Sequence, residues 1–447
     1  MRFCNSVLRN CLAHHIRRLN IVCDLSVINS SDPFGPALRD ALTRLVDVMA
    51  SAENLAYLRI SPGANVLFIE MPAMLSTLLV HPPSRSLELT YMTGLDWLEN
   101  HRFVGLRHLS LGFYYSPKDV LDLLPVTASS AATLESMHLL VDRTAATLNF
   151  REGCMPYSKL RMLSIAGVNF RLTGFCAAFP KVQFIRCGGT DISMSAPTHS
   201  GPATHEPQIL SELIGLDGDI ESMALFGPSC KLRMICIPSQ IDSLSSFARL
   251  TTAISGNSLC SLSLSVKLQE PSWQNVTRGL DAEHFFAEIC RTAPRLRFLS
   301  LRMNIAIRPR GHRTDPGHHA ARQREAMADI STVASPHLAG LDDLQCFHIV
   351  FAPHTDSRTN EFWADVAVLY LSNLPRVRFL VLDFVQDLIC LERSEAATMH
   401  KDGVADIAEV DLDREDVERL LERYQFEGSD WRLDGVADWL RSVRSLE

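Results

Sequence analysis

The chain has 447 residues, 47% of them hydrophobic and 21% charged, with a formal net charge of -8. That composition excludes an intrinsically disordered chain, and the length exceeds one ordinary core, so the protein divides into two or three domains or is built by repetition. Twelve cysteines are scattered with no C-x-x-C pair, which excludes a disulfide-stapled scaffold and points to a reducing compartment, cytoplasmic or nuclear.

The first twenty residues, "MRFCNSVLRNCLAHHIRRLN", carry basic residues but no apolar run of signal-peptide length. Residues 1-51 read as an N-terminal helical cap and a first repeat: Ile16, Leu19 and Ile21 form an L-x-x-L-x-L phrase, and Leu38, Leu42, Leu45 and Met49 fall on one helical face. The most apolar window, Ala64 to Val80, is broken by Glu70 and Pro72. It falls short of the ~20 apolar residues of a membrane helix, so no membrane partner is expected.

Over residues 52-390 the same phrase recurs at Leu55-Leu58-Ile60, Leu75-Leu78-Val80, Leu106-Leu109-Leu111, Leu134-Met137-Leu139, Leu160-Leu163-Ile165 and Val182-Ile185-Cys187. It continues at Ile220-Met223-Leu225, Leu232-Ile235-Ile237, Leu259-Leu262-Leu264, Leu296-Leu299-Leu301, Leu344-Phe347-Ile349 and Val377-Leu380-Leu382. Six copies carry a basic residue just ahead of the strand, as in "IRRLNI", "GLRHLSL", "KLRMLSI" and "RLRFLSL". Helix-period segments lie between them: "SPKDVLDLL" from Ser116, "DAEHFFAEICRT" from Asp281 and "TNEFWADVAVLYLSN" from Thr359. Alternating strand and helix at such intervals predicts an α/β fold, an irregular leucine-rich-repeat solenoid with a parallel concave sheet and helices on the convex side. The asparagine that follows the triplet in regular repeats stands at Asn304 but is replaced by Gly63, Tyr114, Val168 and Gln240 elsewhere.

The segment Arg291 to Arg324 holds nine arginines and one acid, Asp315, and its stretch of about 304-324 reads as a basic loop. Residues 391-447 read as an acidic helical C-terminal cap. From Asp402 onward fourteen acids face six arginines, which accounts for the whole net charge. "VDLDREDVERLLERY" approaches a calcium loop, but Asp416 stands at the sharp-turn glycine position. Val417, Leu420, Leu421 and Tyr424 align on one face, so a helix is expected there.

The repeated "LRxLSL" phrases, the start "RFCNSVLRNCLAHHIRRLNI" and the helices that end in Pro before the next strand, as in "LTGFCAAFPKVQFI", together resemble the fungal F-box proteins with degenerate leucine-rich repeats. The resemblance covers Met1 to about Val385. In that family an F-box of about 40 residues precedes the repeats and binds the adaptor subunit of a ubiquitin ligase, while the repeats recruit a target. No helical F-box pattern opening on a Leu-Pro pair stands before Ile16, so the resemblance concerns the repeat region, and the adaptor is an expected partner only if an F-box lies upstream.

No G-x-S-x-G, H-E-x-x-H, Walker or G-x-G-x-x-G motif is present, and neither catalysis, a metal nor a cofactor is expected. The residue between the last two apolar positions of each triplet points away from the core, giving the stripe Arg59, Ser110, His138, Ser164, Arg186, Ala224, Cys236, Ser263, Ser300, His348 and Val381. Arg59, Ser110, His138, Ser164, Arg186, Arg302 and His348 are the candidate partner-binding residues of this face, and Arg308, Arg310 and Arg313 those of the basic loop. The expected function is a non-catalytic protein-binding scaffold similar to the target-recognition part of an F-box subunit. The alternatives are a stand-alone leucine-rich-repeat interaction protein and a nucleic-acid binder using the arginine loop, against which stands the lack of interleaved aromatic residues.

Overall fold

In the computed structural model the residues described are 2-22, 35-61, 63-92, 103-113, 120-121, 127-141, 146-148, 156-188, 192-193, 210-269, 280-306, 316-351, 360-374, 376-383, 388-393, 407-410, 412-426 and 441. They fall into two compact units, Met1–Leu213 with Leu440–Glu447, and Ile214–Trp439.

In the first unit the order is α1 (Arg2–Arg9), β1 (Arg18–Val22), α2 (Pro36–Ala50), β2 (Tyr57–Ser61), α3 (Ala64–Glu70), α4 (Pro72–Val80), β3 (Ser86–Met92), β4 (His108–Phe113) and β5 (Val120–Leu121). There follow β6 (Ser136–Val141), β7 (Ala146–Leu148), β8 (Met162–Ala166), β9 (Val168–Arg171), α5 (Leu172–Ala178), β10 (Phe184–Gly188) and β11 (Ile192–Ser193). Strands β1, β2, β3, β4, β6, β8 and β10 pair in that order and in parallel. Strands β5, β7, β9 and β11 form a second, four-stranded parallel sheet.

The apolar triplets explain the main strands. Leu58, Ile60, Leu87, Leu89, Leu111, Met137, Leu139, Leu163 and Ile165 are fully buried on one face, as alternation requires. Gly167 joins β8 to β9 with φ +65°, and a Cβ there would stand 2.0 Å from the Val141 carbonyl oxygen, so only glycine lets the chain pass between the two sheets.

The second unit runs β12 (Gly215–Asp217), α6 (Ile220–Phe226), β13 (Met234–Ile241), α7 (Leu244–Ile254), β14 (Ser261–Gln269), α8 (Ala282–Thr292) and β15 (Phe298–Ala306). It continues with α9 (Pro316–Leu338), β16 (Cys346–Phe351), α10 (Asn360–Asn373), β17 (Phe379–Asp383), β18 (Leu388–Arg393), β19 (Ile407–Glu409) and α11 (Arg414–Phe426). Helix starts follow capping chemistry: Asp219 accepts from the Ser222 N–H at 2.7 Å, Ser243 from Ser246 at 3.2 Å and Asp281 from His284 at 2.9 Å. Strands β12 to β17 are parallel, whereas β18 and β19 return antiparallel.

This architecture corrects the leucine-rich-repeat expectation. Within each unit the main strands build one large sheet held by long-range pairing, accompanied in the first unit by a separate four-stranded sheet and made mixed in the second by the antiparallel strands β18 and β19, instead of modular curved units with an all-parallel concave sheet and helices outside it. The connections are correspondingly unlike one another, from the single residue Gly167 to the 23-residue helix α9. The physical reason is that an L-x-x-L-x-L phrase reports a buried parallel strand and the turn before it, and says nothing of what lies between strands. The descriptions that depended on that architecture, leucine-rich repeat, F-box-like and ubiquitin-ligase recognition, fall with it.

Two triplets lie on helices: Leu75-Leu78-Val80 in α4 and Ile220-Met223-Leu225 in α6. The stretch at 316-324, expected as loop, opens α9, while 307-315 lies outside the described residues. "SPKDVLDLL" yields the short strand β5 at Val120–Leu121, its residues 116-119 lying outside the described residues.

Candidate functional site

Parallel pairing in register brings one residue from each strand of the first unit into a single transverse row: Asn20, Arg59, Glu88, Ser110, His138, Ser164 and Arg186. Each lies between two core residues of its strand, so all seven side chains leave the sheet on the face opposite the apolar core. Neighbours along the row are separated by about one strand spacing, ~4.8 Å. Four residues that spacing alone singled out, Ser110, His138, Ser164 and Arg186, are thus contiguous. Glu88, absent from the sequence-derived stripe, sits between Arg59 and Ser110.

The row is not the solvated stripe that its position suggests. Glu88, His138 and Ser164 are buried, Arg59, Ser110 and Arg186 are half-buried, and Asn20 at the edge is exposed. At one end the Arg59 Nε stands 2.7 Å from Glu88 Oε1, an ion pair whose poor alignment leaves neither atom a proper hydrogen bond. The Tyr57 hydroxyl donates to Glu88 Oε2 at 3.1 Å. Burial pushes the Glu88 carboxyl above its ordinary value, against the pull of Arg59 and of the Tyr57 hydroxyl. Tyr57 itself is driven up to about 12 by burial and by the adjacent carboxylate.

At the centre lies the feature with most chemical content. The His138 imidazole is 2% exposed, and among the described residues neither ring nitrogen has a hydrogen-bond partner. The Ser110 and Ser164 hydroxyls on either side are likewise without partners. Burial, reinforced by the Arg186 guanidinium, pulls His138 down to about 3, so the ring is neutral at physiological pH. A buried polar group left without a hydrogen bond costs about 1–3 kcal/mol. Three adjacent ones are therefore an unusual concentration of unspent donors and acceptors. One row toward the strand starts, by contrast, His108 Nδ1 and Ser136 Oγ are satisfied by each other at 2.8 Å.

The second unit repeats the geometry with other chemistry: Asp217, Cys236, Ser263, Ser300, His348, Val381 and Cys390 are in register. Ser300 Oγ and His348 Nδ1 share a hydrogen bond at 2.9 Å, and His348 Nε2 lies 4.0 Å from Asp383 Oδ2. The succession Ser-His-Asp does not make a catalytic triad, because the last gap exceeds a hydrogen bond and Arg414 of α11 takes both Asp383 oxygens, at 3.0 and 3.3 Å. Burial lowers His348 to about 4, leaving a poor base. On the same face Phe298, Cys346, Phe379, Val381 and Cys390 are covered by Val417, Leu420, Leu421 and Tyr424 of α11. The acidic C-terminal helix thus occupies this face.

Arg302, two residues beyond Ser300, is exposed in the next row, between Ser265 and Val350. Arg308, Arg310 and Arg313 lie outside the described residues. Ala224 belongs to α6 and leaves the row, its place being taken by Asp217. Among the described residues no cluster of three or more His, Cys, Asp or Glu side chains is arranged to hold a metal, and no helix is long and apolar enough to cross a membrane.

No protein-family model matches this chain, and no curated protein matches it.

Proposed function

We propose that the protein is a non-catalytic binding scaffold that holds a partner polypeptide on the polar row of its first unit. The observation that carries this reading is the run Ser110, His138, Ser164, whose side chains find no hydrogen-bond partner among the described residues. The half-buried Arg59, Ser110 and Arg186 form the surface a partner meets, and the Ser164 hydroxyl and the neutral imidazole, 0% and 2% exposed, are reached only when the side chains over them move aside. A non-catalytic role is supported by the geometry of both rows, since neither joins a nucleophile, a base and an orienting group within hydrogen-bond reach. The free cysteines support a reducing compartment, cytoplasm or nucleus.

The test exploits opposite demands of folding and binding. Replacing unsatisfied polar groups by apolar ones of similar size is neutral or stabilising for a fold. His138→Leu with Ser110→Ala and Ser164→Ala is therefore expected to keep or raise the thermal midpoint. The same variant, used as bait beside wild type in extracts of the source organism, is expected to lose the proteins that wild type retains. Retention of the same proteins by both baits would refute the reading.

A further inference from the structure

The basic residue ahead of so many strands has no role in the polar row. In the first unit the residues that enter the strands are joined by backbone bonds: Ala56 N–H to Arg17 C=O at 2.9 Å, Arg85 to Ala56 at 3.0, Arg107 to Arg85 at 2.8, Glu135 to Arg107 at 2.7, Arg161 to Glu135 at 2.9 and Gln183 to Arg161 at 2.9. They are lateral neighbours at about 4.8 Å, so the rim they form is roughly 29 Å long. Arg17, Arg85, Arg107 and Arg161 are exposed along it, and Lys159 and Lys181 are exposed in the turns that lead in.

The charge on this rim is surplus to the fold. Ala56 and Gln183 occupy equivalent positions and make the same backbone bonds, so a neutral residue serves there. Residues 1-213 hold 18 basic and 17 acidic side chains, close to balance, whereas the entering turns carry these six cations against Glu53 and Glu135 alone. Glu135 meets Arg107 at 3.4 Å. Among the described residues Arg17, Arg85, Lys159, Arg161 and Lys181 form no ion pair. A surface built only for solubility intersperses both signs.

We propose that this rim docks an extended acidic segment of the bound polypeptide, its carboxylates received by Arg17, Arg85 and Arg161. The inference rests on the protein-binding reading above and adds the chemistry of the partner. Arginine suits carboxylates because its planar fork bonds both oxygens. Nucleic acid is disfavoured because the large rings in these turns, Phe103, Tyr157 and Phe179, are buried, and among the described residues the rings left exposed there are the histidines His14, His15 and His81.

The experiment is an anisotropy titration of the full chain with fluorescein-labelled decaglutamate, with decaglutamine and a duplex DNA oligonucleotide as comparisons. Decaglutamate is expected to bind at low salt and be released at ~1 M salt, where the screening length is ~3 Å. Arg17→Ser, Arg85→Ser and Arg161→Ser together are expected to weaken it about tenfold, while Arg249→Ser, at an exposed arginine of helix α7 in the second unit, leaves it unchanged. No binding of decaglutamate, or equal binding by the triple variant, overturns the inference, as does tighter binding of the duplex with the same sensitivity to the triple variant. The two readings fail separately. If the triple arginine variant still retains the extract proteins that the combined His138→Leu, Ser110→Ala and Ser164→Ala protein loses, the rim is refuted and the polar row stands.

Discussion

Arg59 and Glu88 show what one ion pair does inside the row. Glu88 is almost fully buried while the Arg59 side chain keeps 23% of its surface, so the arginine can turn to water and the carboxylate cannot. Removing Arg59 leaves a buried unpaired charge, and Arg59→Ala is expected to cost about 2–3 kcal/mol, at the lower edge of buried-pair values because of that exposure. Glu88→Gln is expected to cost less than about 1 kcal/mol, and the double variant to recover most of the Arg59→Ala loss. The pH dependence has a definite sign. A carboxyl held above its ordinary value keeps its proton more tightly in the folded than in the unfolded chain, so stability falls as pH rises through that window. Urea midpoints measured across the acid range should lose this slope in Glu88→Gln; an Arg59→Ala protein as stable as wild type would refute the account. Position in the L-x-L phrase identified Arg59, Ser110, His138 and Ser164 as row members. It missed Glu88 because Ser84 stands where the phrase needs an apolar residue, although "SLELT" alternates like a strand. Nor does alternation report burial, which depends on what else packs on that face.

Helix α11 is where sequence periodicity and tertiary position part. Its apolar face was legible from Val417, Leu420, Leu421 and Tyr424, and its start from the acids: Asp413 accepts from the Asp416 N–H at 2.8 Å, and Glu415 and Asp416 occupy the first turn, favourable for the macrodipole. Where the helix lies was not legible, because its hydrophobic stripe fits any apolar surface. Its docking depends on Phe298, Cys346 and Phe379, strand residues on the face that a triplet pattern assigns to solvent. For the same reason the template mistook α4 and α6 for strands, since spacing of three and five residues also fits part of a helical face, and it passed over β12, where Gly218 replaces the last apolar residue. Val417 is 1% exposed, and Val417→Asp would set a carboxylate against that cluster at a cost of about 3 kcal/mol or more. The two thiols beneath report the outcome: Cys346 and Cys390 are buried, and burial raises both, Cys390 to about 11. Thiol-specific labelling of these two residues is expected to be slow in wild type and much faster in Val417→Asp. Equal rates would mean that α11 does not close this face.

Length posed a choice between several domains and repetition, and the chain combines features of both: local parallel pairing in chain order, yet two compact units, Met1–Leu213 with Leu440–Glu447 and Ile214–Trp439. The repeated phrase was sound evidence for parallel strands because burying a strand between two apolar neighbours demands the same residues in any such sheet. It could not show the closing antiparallel strands β18 and β19 or the second sheet, which obey no common spacing. Each unit has its own buried core, Leu58, Leu111, Met137 and Leu163 in one, Leu262, Phe285, Leu299 and Phe347 in the other. Chains with separate cores depart from two-state unfolding. Urea unfolding is therefore expected to show two transitions, Arg59→Ala lowering only one midpoint and Val417→Asp only the other, because the two sites share no partner and their effects should not couple. A single transition, lowered by either substitution, would instead mean that the two units unfold as one cooperative body.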